Sequence, residues 1–160
     1  MLAPLVWLVA IPLVHGVVPW AVSRFTRRYG WSAGQPTILN LTGLLPVAAG
    51  AALLVWAFIS GYRHTDEIPE KVELNWSPKL LYVRGPYAFT RNPMYLAEVA
   101  LWIGWTIFFG SIAVLIGCVV MCFGVSLVVQ REERDLEAQF GEAYRQYKAG
   151  VPRWFGMVRR

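Results

Sequence analysis

Thr90-Arg91-Asn92-Pro93-Met94-Tyr95-Leu96-Ala97-Glu98 opens an apolar run that continues to Phe109, turns at Gly110-Ser111 and runs apolar again to Val129. Asparagine is a good N-cap, and proline at the first helical position gives up only a donor that had no partner, so a helix begins at Pro93. At about 1.5 Å per residue the runs Pro93–Phe109 and Ser111–Val129 are each roughly 25 to 28 Å long, close to a bilayer's hydrocarbon core. So short a link makes them antiparallel neighbours. The spacing therefore predicts a transmembrane helical hairpin whose open ends, near Arg91 and Glu132, lie side by side.

Working outward, Leu2–Val22 and Ile38–Ser60 are two more segments of spanning length. With 160 residues, 56% hydrophobic content and eight Trp, the chain reads as an all-α integral membrane protein of one domain with about four transmembrane helices. Residues 1–61 hold two N-terminal helices, 62–92 a cytoplasmic connector, 93–129 the hairpin and 130–160 a cytoplasmic or interfacial amphipathic tail. The first segment lacks a basic leader and a small-residue cleavage site, so we read it as a retained helix.

The net charge of +5 is not arranged as a basic stripe interleaved with aromatics on a soluble face, which argues against a nucleic-acid partner. It suits membrane orientation instead. Five Lys and Arg fall between Arg63 and Arg91 and seven from Arg131 onward, against three, Arg24, Arg27 and Arg28, after the first helix. The positive-inside rule then puts the connector, the tail and both termini in the cytoplasm, although the three early arginines pull the other way.

No metal site is expected. His64 has no second His or Cys at ligand spacing, and Cys118 and Cys122, four apart inside a span, read as small packing residues. His15, alone in the first span, either bonds to backbone or lines a cavity.

Charged groups inside a bilayer are expensive, so Arg91 at the helix entrance and Glu98 two turns in read as a site for binding or chemistry. The alternative for Glu98 is a structural hydrogen bond to a neighbouring helix. Tyr95 and Glu98 share a helix face, and the first-turn amides beside Arg91 suit an anion. After Val129, Gln130-Arg131-Glu132-Glu133-Arg134-Asp135 carries the fourth helix out of the membrane. Leu136, Phe140, Tyr144 and Tyr147 then form an amphipathic stripe, interrupted at Gly141 and able to lie on the interface or fold back over the site. Val151-Pro152-Arg153-Trp154-Phe155 follows as an aromatic anchor.

Two blocks in register, Gly85-Pro86-Tyr87 with Arg91-Asn92-Pro93-Met94-Tyr95, and Glu132-Glu133 with Leu136, Phe140-Gly141, Tyr144, Tyr147 and Val151-Pro152, resemble the isoprenylcysteine carboxyl methyltransferase and phospholipid methyltransferase family of integral membrane enzymes. The resemblance covers about Val83 to Pro152 and leaves the first two helices without a family signal. It implies transfer of a methyl group from S-adenosylmethionine, leaving S-adenosylhomocysteine, to a lipophilic or lipid acceptor at the cytoplasmic face of a prokaryotic inner membrane.

The cofactor-binding residues so implied are Gly85, Tyr87, Arg91, Asn92, Pro93, Tyr95, Glu132, Glu133 and Tyr144, and the catalytic ones are Arg91, Tyr95 and Glu98. Arg91 and the helix N-terminus would take the cofactor's carboxylate and Glu132 or Glu133 its ammonium, with Tyr87 and Tyr95 offering ring faces. An amine acceptor needs a base, for which Glu98 is placed; a carboxylate acceptor needs an arginine, Arg91, Arg145 or Arg153. A glutamate in the helix tilts the acceptor toward an amine, and Arg-Asn-Pro, standing where many prenylcysteine enzymes read Arg-His-Pro, weakens the prenylcysteine assignment more than the methyltransferase one. The competing classes are a sterol-reductase-like enzyme using NADPH and an inactive membrane scaffold of the same fold.

Overall fold

The computed structural model describes residues 10–63 and 81–156, and among them the chain is mostly helical. The helices are α1 (Ala10–Val22), α2 (Ile38–Leu41), α3 (Leu44–Arg63), α4 (Pro93–Phe109), α5 (Ile112–Phe140) and α6 (Glu142–Gly150). A two-stranded hairpin, β1 (Trp31–Ser32) and β2 (Gln35–Pro36), pairs Trp31 with Pro36 after α1, and a 3₁₀ turn at Gly85–Ala88 precedes α4.

Among the described residues two helices are long and apolar enough to cross a membrane, Ile38–Gly61 (with a turn after α2) and Ile112–Phe140, while Ala10–Val22 and Pro93–Phe109 are shorter. Four full spans were expected, and most of the connector, His64 included, and the start of the first segment lie outside the described residues. Along α5, Ile116, Val119, Val120, Phe123 and Leu127 are each more than half exposed. An apolar face of that extent calls for lipid rather than water. The helix also runs on past Val129 without a break to Phe140, so the charge run is the solvated end of a spanning helix.

The contacts divide the chain into two compact units: one takes in the chain as far as Ala51 with Ala97–Phe123, the other Ala52–Leu96 and the chain from Gly124 on. In the first unit Trp102, Phe109, Val114 and Cys118 form the core, with Trp105, Phe108 and Cys122 packed against it. This is the packing role expected for both cysteines. Gly43 and Gly104 let two helix backbones approach: a Cβ on Gly104 would meet the Gly43 carbonyl oxygen at 2.6 Å. Small residues serve the same end wherever helices must associate without a hydrophobic drive between them.

The expected turn between the hairpin arms is present. Gly110 takes φ +55°, a left-handed conformation natural to glycine, and a side chain there would run into the Tyr29 carbonyl. Ser111 Oγ accepts the Val114 N–H at 3.4 Å and so caps α5. Tyr29 N–H donates to Gly110 O at 2.9 Å, and Asn40 Nδ2 donates to the carbonyls of Tyr29 and Ile107, both at 3.1 Å. The loop after α1 is thus tied to the hairpin turn.

Residues Leu13–Val17 of α1 widen into a π-helical turn. Proline has no N–H, so Pro19 cannot give the His15 carbonyl its α-helical partner. Trp105 Nε1 fills the vacancy at 2.5 Å. His15 itself is buried, and its Nδ1 accepts the indole N–H of Trp102 at 3.1 Å. Indole nitrogen only donates, so Nδ1 is unprotonated and the proton of the neutral ring sits on Nε2. That nitrogen faces Glu98 Oε1 at 3.8 Å. His15 thus meets helix α4 through both its ring and its backbone carbonyl.

Candidate functional site

In the second unit the segment before α4 closes on the stretch after α6. Backbone Arg91 N–H donates to Pro152 O at 3.0 Å, while Thr90 Oγ1 and Asn92 Nδ2 donate to Arg153 O at 3.0 and 3.2 Å. Helix α4 starts at Pro93 as its sequence dictates. Asn92 does more than precede it, because its amide also donates to Glu133 Oε1 at 3.3 Å.

Glu133 is the centre of this arrangement. It is 4% exposed and takes Arg153 through two bonds, Nε to Oε1 at 3.1 Å and Nη2 to Oε2 at 2.7 Å. Arg91 Nη2 stands 3.3 Å from Oε1. Burial would raise this carboxyl, but the Arg153 hydrogen bonds, the charges of Arg91 and Arg153 and the Asn92 amide together hold it below the usual carboxylate range. Glu133 lies four residues beyond Val129, past the apolar part of α5. The same hydrogen bond raises Arg153 in turn.

Arg91 is the incomplete member. Its side chain is 8% exposed, yet Nε and Nη1 are buried without a hydrogen-bond partner among the described residues. Leaving charged donors unpaired costs about 1–3 kcal/mol or more each, so such groups call for an explanation. Nε and Nη1 belong to different edges of the guanidinium, so each can donate separately to an acceptor, a carboxylate oxygen among them.

Tyr95, one turn into α4, donates its hydroxyl to Glu132 Oε1 at 2.7 Å. Tyr147 Oη donates to the Tyr87 carbonyl at 2.7 Å, which ties α6 to the 3₁₀ turn. Tyr144 is fully buried and edge-on to Tyr147. Burial pushes the Tyr87 phenol to about 12, with Tyr82 and Glu132 adding; burial and then Glu133 push Tyr144 to about 12. Gly85, at φ +61°, leaves no room for a Cβ, which would stand 2.7 Å from Ser60 Oγ.

A model of the phospholipid methyltransferase family matches residues 40–143. The chain belongs to that family. Membership places it among membrane methyltransferases, and the match begins at the second helix, well before the Val83 at which the resemblance was legible by inspection. A protein of Haemophilus influenzae described as uncharacterized is 34% identical over 62 residues, covering 38% of this chain and 98% of that protein. No solved structure matches.

Within the family frame the second unit brings together Gly85, Tyr87, Arg91, Asn92, Pro93, Tyr95, Glu132, Glu133 and Tyr144. Glu98 falls in the first unit, beside His15. Thr90 and Arg153 were not anticipated as parts of this centre. The sequence offers Arg153 as a holder of an acceptor carboxylate and as part of the aromatic anchor, and nothing local in Val151-Pro152-Arg153 points to Glu133, twenty residues earlier. Arg145, the other such candidate, pairs with Glu142 at 2.9 Å on the surface. Among the described residues no group of three or more His, Cys, Asp or Glu is placed to hold a metal.

Proposed function

We propose that this chain transfers a methyl group from S-adenosylmethionine to a lipophilic acceptor, a lipid amine in preference to a prenylcysteine carboxylate. The observation that carries the reading is Arg91, buried, 3.3 Å from Glu133 through one nitrogen and with two further nitrogens that have no hydrogen-bond partner among the described residues. The amino acid end of the cofactor supplies a carboxylate, an acceptor suited to a charged donor of this kind. Glu133 is already engaged by Arg153 and Arg91, so the cofactor's ammonium falls to Glu132, which Tyr95 orients. The Tyr87 and Tyr95 rings flank a cationic sulfonium by cation–π attraction. Asn92, Pro93, Gly85 and Tyr144 act by holding this frame.

When bound, the cofactor supplies an activated methyl on a good leaving group, so the protein has mainly to align the acceptor and exclude water. An amine acceptor must lose a proton as its nitrogen is methylated, and Glu98 is the proposed acceptor of that proton. The amine is favoured because the arginines that could hold a carboxylate are committed: Arg145 to Glu142, Arg153 to Glu133 and Arg91 to the cofactor.

Calorimetric titration of the detergent-purified protein with S-adenosylhomocysteine tests this without knowledge of the acceptor. Micromolar binding, lost in Arg91→Met and absent for NADPH, is expected. No binding to folded protein, or binding of NADPH instead, overturns the reading.

A further inference from the structure

The loop after α1 carries Arg24, Arg27 and Arg28, and the first acidic residue of the whole chain is Asp66. Among the described residues none of the three arginines makes an ion pair with a carboxylate. Each is instead held over an aromatic ring: Arg24 5.7 Å from the Trp20 centroid, Arg27 5.7 Å from Tyr29, and Arg28 4.8 Å from Trp31. Arg28 Nη2 also donates to Ser23 Oγ at 2.7 Å. Burial, and then the like charge of Arg24, lower the proton affinity of Arg28, a repulsion that an anion would relieve.

The cluster is rigidly mounted. Tyr29 is bonded to Gly110, Thr26 Oγ1 to Ser111 Oγ at 2.8 Å, and Trp31 Nε1 to Phe108 O at 3.0 Å. Cations fixed in advance lose little freedom when a ligand arrives. Beside them Phe25 is 83% exposed and Trp20 51% exposed at the end of an apolar helix. Rings so placed suit the boundary between headgroups and acyl chains.

We propose that Arg24, Arg27 and Arg28, set over Trp20, Tyr29 and Trp31, form a site for the phosphate of an anionic phospholipid at the membrane surface. The positive cluster, with no paired carboxylate among the described residues, supplies the charge complementarity, and the exposed rings favour a lipid over a soluble phosphate. The site does not depend on the methyl-transfer reading.

The test is calorimetric titration of the full chain in neutral detergent with short-chain phosphatidylglycerol and with phosphatidylcholine of the same tails. Phosphatidylglycerol is expected to bind at least tenfold more tightly and to weaken with salt. In the R24Q/R27Q double variant its affinity should fall about thirtyfold, from two surface cations removed, while R24K/R27K retains most of it. S-adenosylhomocysteine binding and thermal unfolding should match the parent in both. Equal affinity for the two lipids, or parent-like affinity in R24Q/R27Q, overturns the proposal. Displacement of the lipid by millimolar inorganic phosphate would overturn its lipid source.

Discussion

Glu133 takes both edge nitrogens of Arg153, at 3.1 and 2.7 Å, and through this one carboxylate the stretch after α6 is fastened to α5. Replacing Glu133 by Gln removes the charge but leaves two guanidiniums facing its place. Breaking a buried pair by losing one partner costs about 3–5 kcal/mol; since Arg153 is 39% exposed, the lower end, about 3 kcal/mol, is expected. Denaturant unfolding in mild detergent, followed by tryptophan fluorescence, measures it.

Arg91 separates stability from binding. Arg91→Met deletes two donors that have no partner among the described residues, and Glu133, though it loses Arg91, keeps its two bonds to Arg153, so the ligand-free protein should change by less than about 1 kcal/mol. Affinity for S-adenosylhomocysteine should fall about 100-fold, the loss of two charge-assisted hydrogen bonds at about 1.5 kcal/mol each. If the variant unfolds easily yet binds normally, Arg91 is a structural residue.

The buried phenols set an alkaline limit. Tyr144 loses its proton near pH 12 when folded and near 10 when unfolded, so its contribution is complete below pH 10 and is lost as pH rises from 10 toward 12. Absorbance titration at 295 nm should show a late group of tyrosines after the exposed ones. Tyr144→Phe should remove one member of that group; an unchanged late phase would contradict the burial assigned to it.

At the acid end the sign reverses. The Glu133 carboxyl is depressed in the fold, so its stabilisation is present above the ordinary carboxylate range and declines as pH falls through the folded value. Parent protein should lose stability below about pH 4.5 more steeply than Glu133→Gln, which has no proton to bind there. Parallel pH profiles of the two unfolding midpoints would refute this.

Trp102 fixes the tautomer of His15. Nitrogen-15 NMR of histidine-labelled protein should show the neutral Nε2–H form, with the Trp102→Phe variant releasing that preference. A dominant Nδ1–H form in the parent would mean that the indole bond is not made.

Much of the site was legible along the chain. Asn92-Pro93 and Gly110-Ser111 mark where helices start and turn, and two apolar runs of similar length bring Arg91 to Glu133 and Tyr95 to Glu132. The stripe through Leu136, Phe140, Tyr144 and Tyr147 is shared between the end of α5 and α6, and Tyr144 is its buried member. The β-hairpin at Trp31–Pro36 and the Arg153 clamp had no comparable signal, because each depends on partners brought near by the fold rather than on a repeat in the local pattern.

The sequence by itself determined the membrane class, the helical hairpin and the family, since apolar length, helix-start chemistry and motif spacing are local properties of the chain. Only the tertiary structure decided that Glu133 serves Arg153 and Arg91 together, that Arg91 is left with donors to offer, and that His15 faces Glu98 through a tautomer set by Trp102. Those are matters of direction and distance between side chains up to 87 residues apart, and a hydrogen bond is settled by its geometry, on which residue order alone is silent.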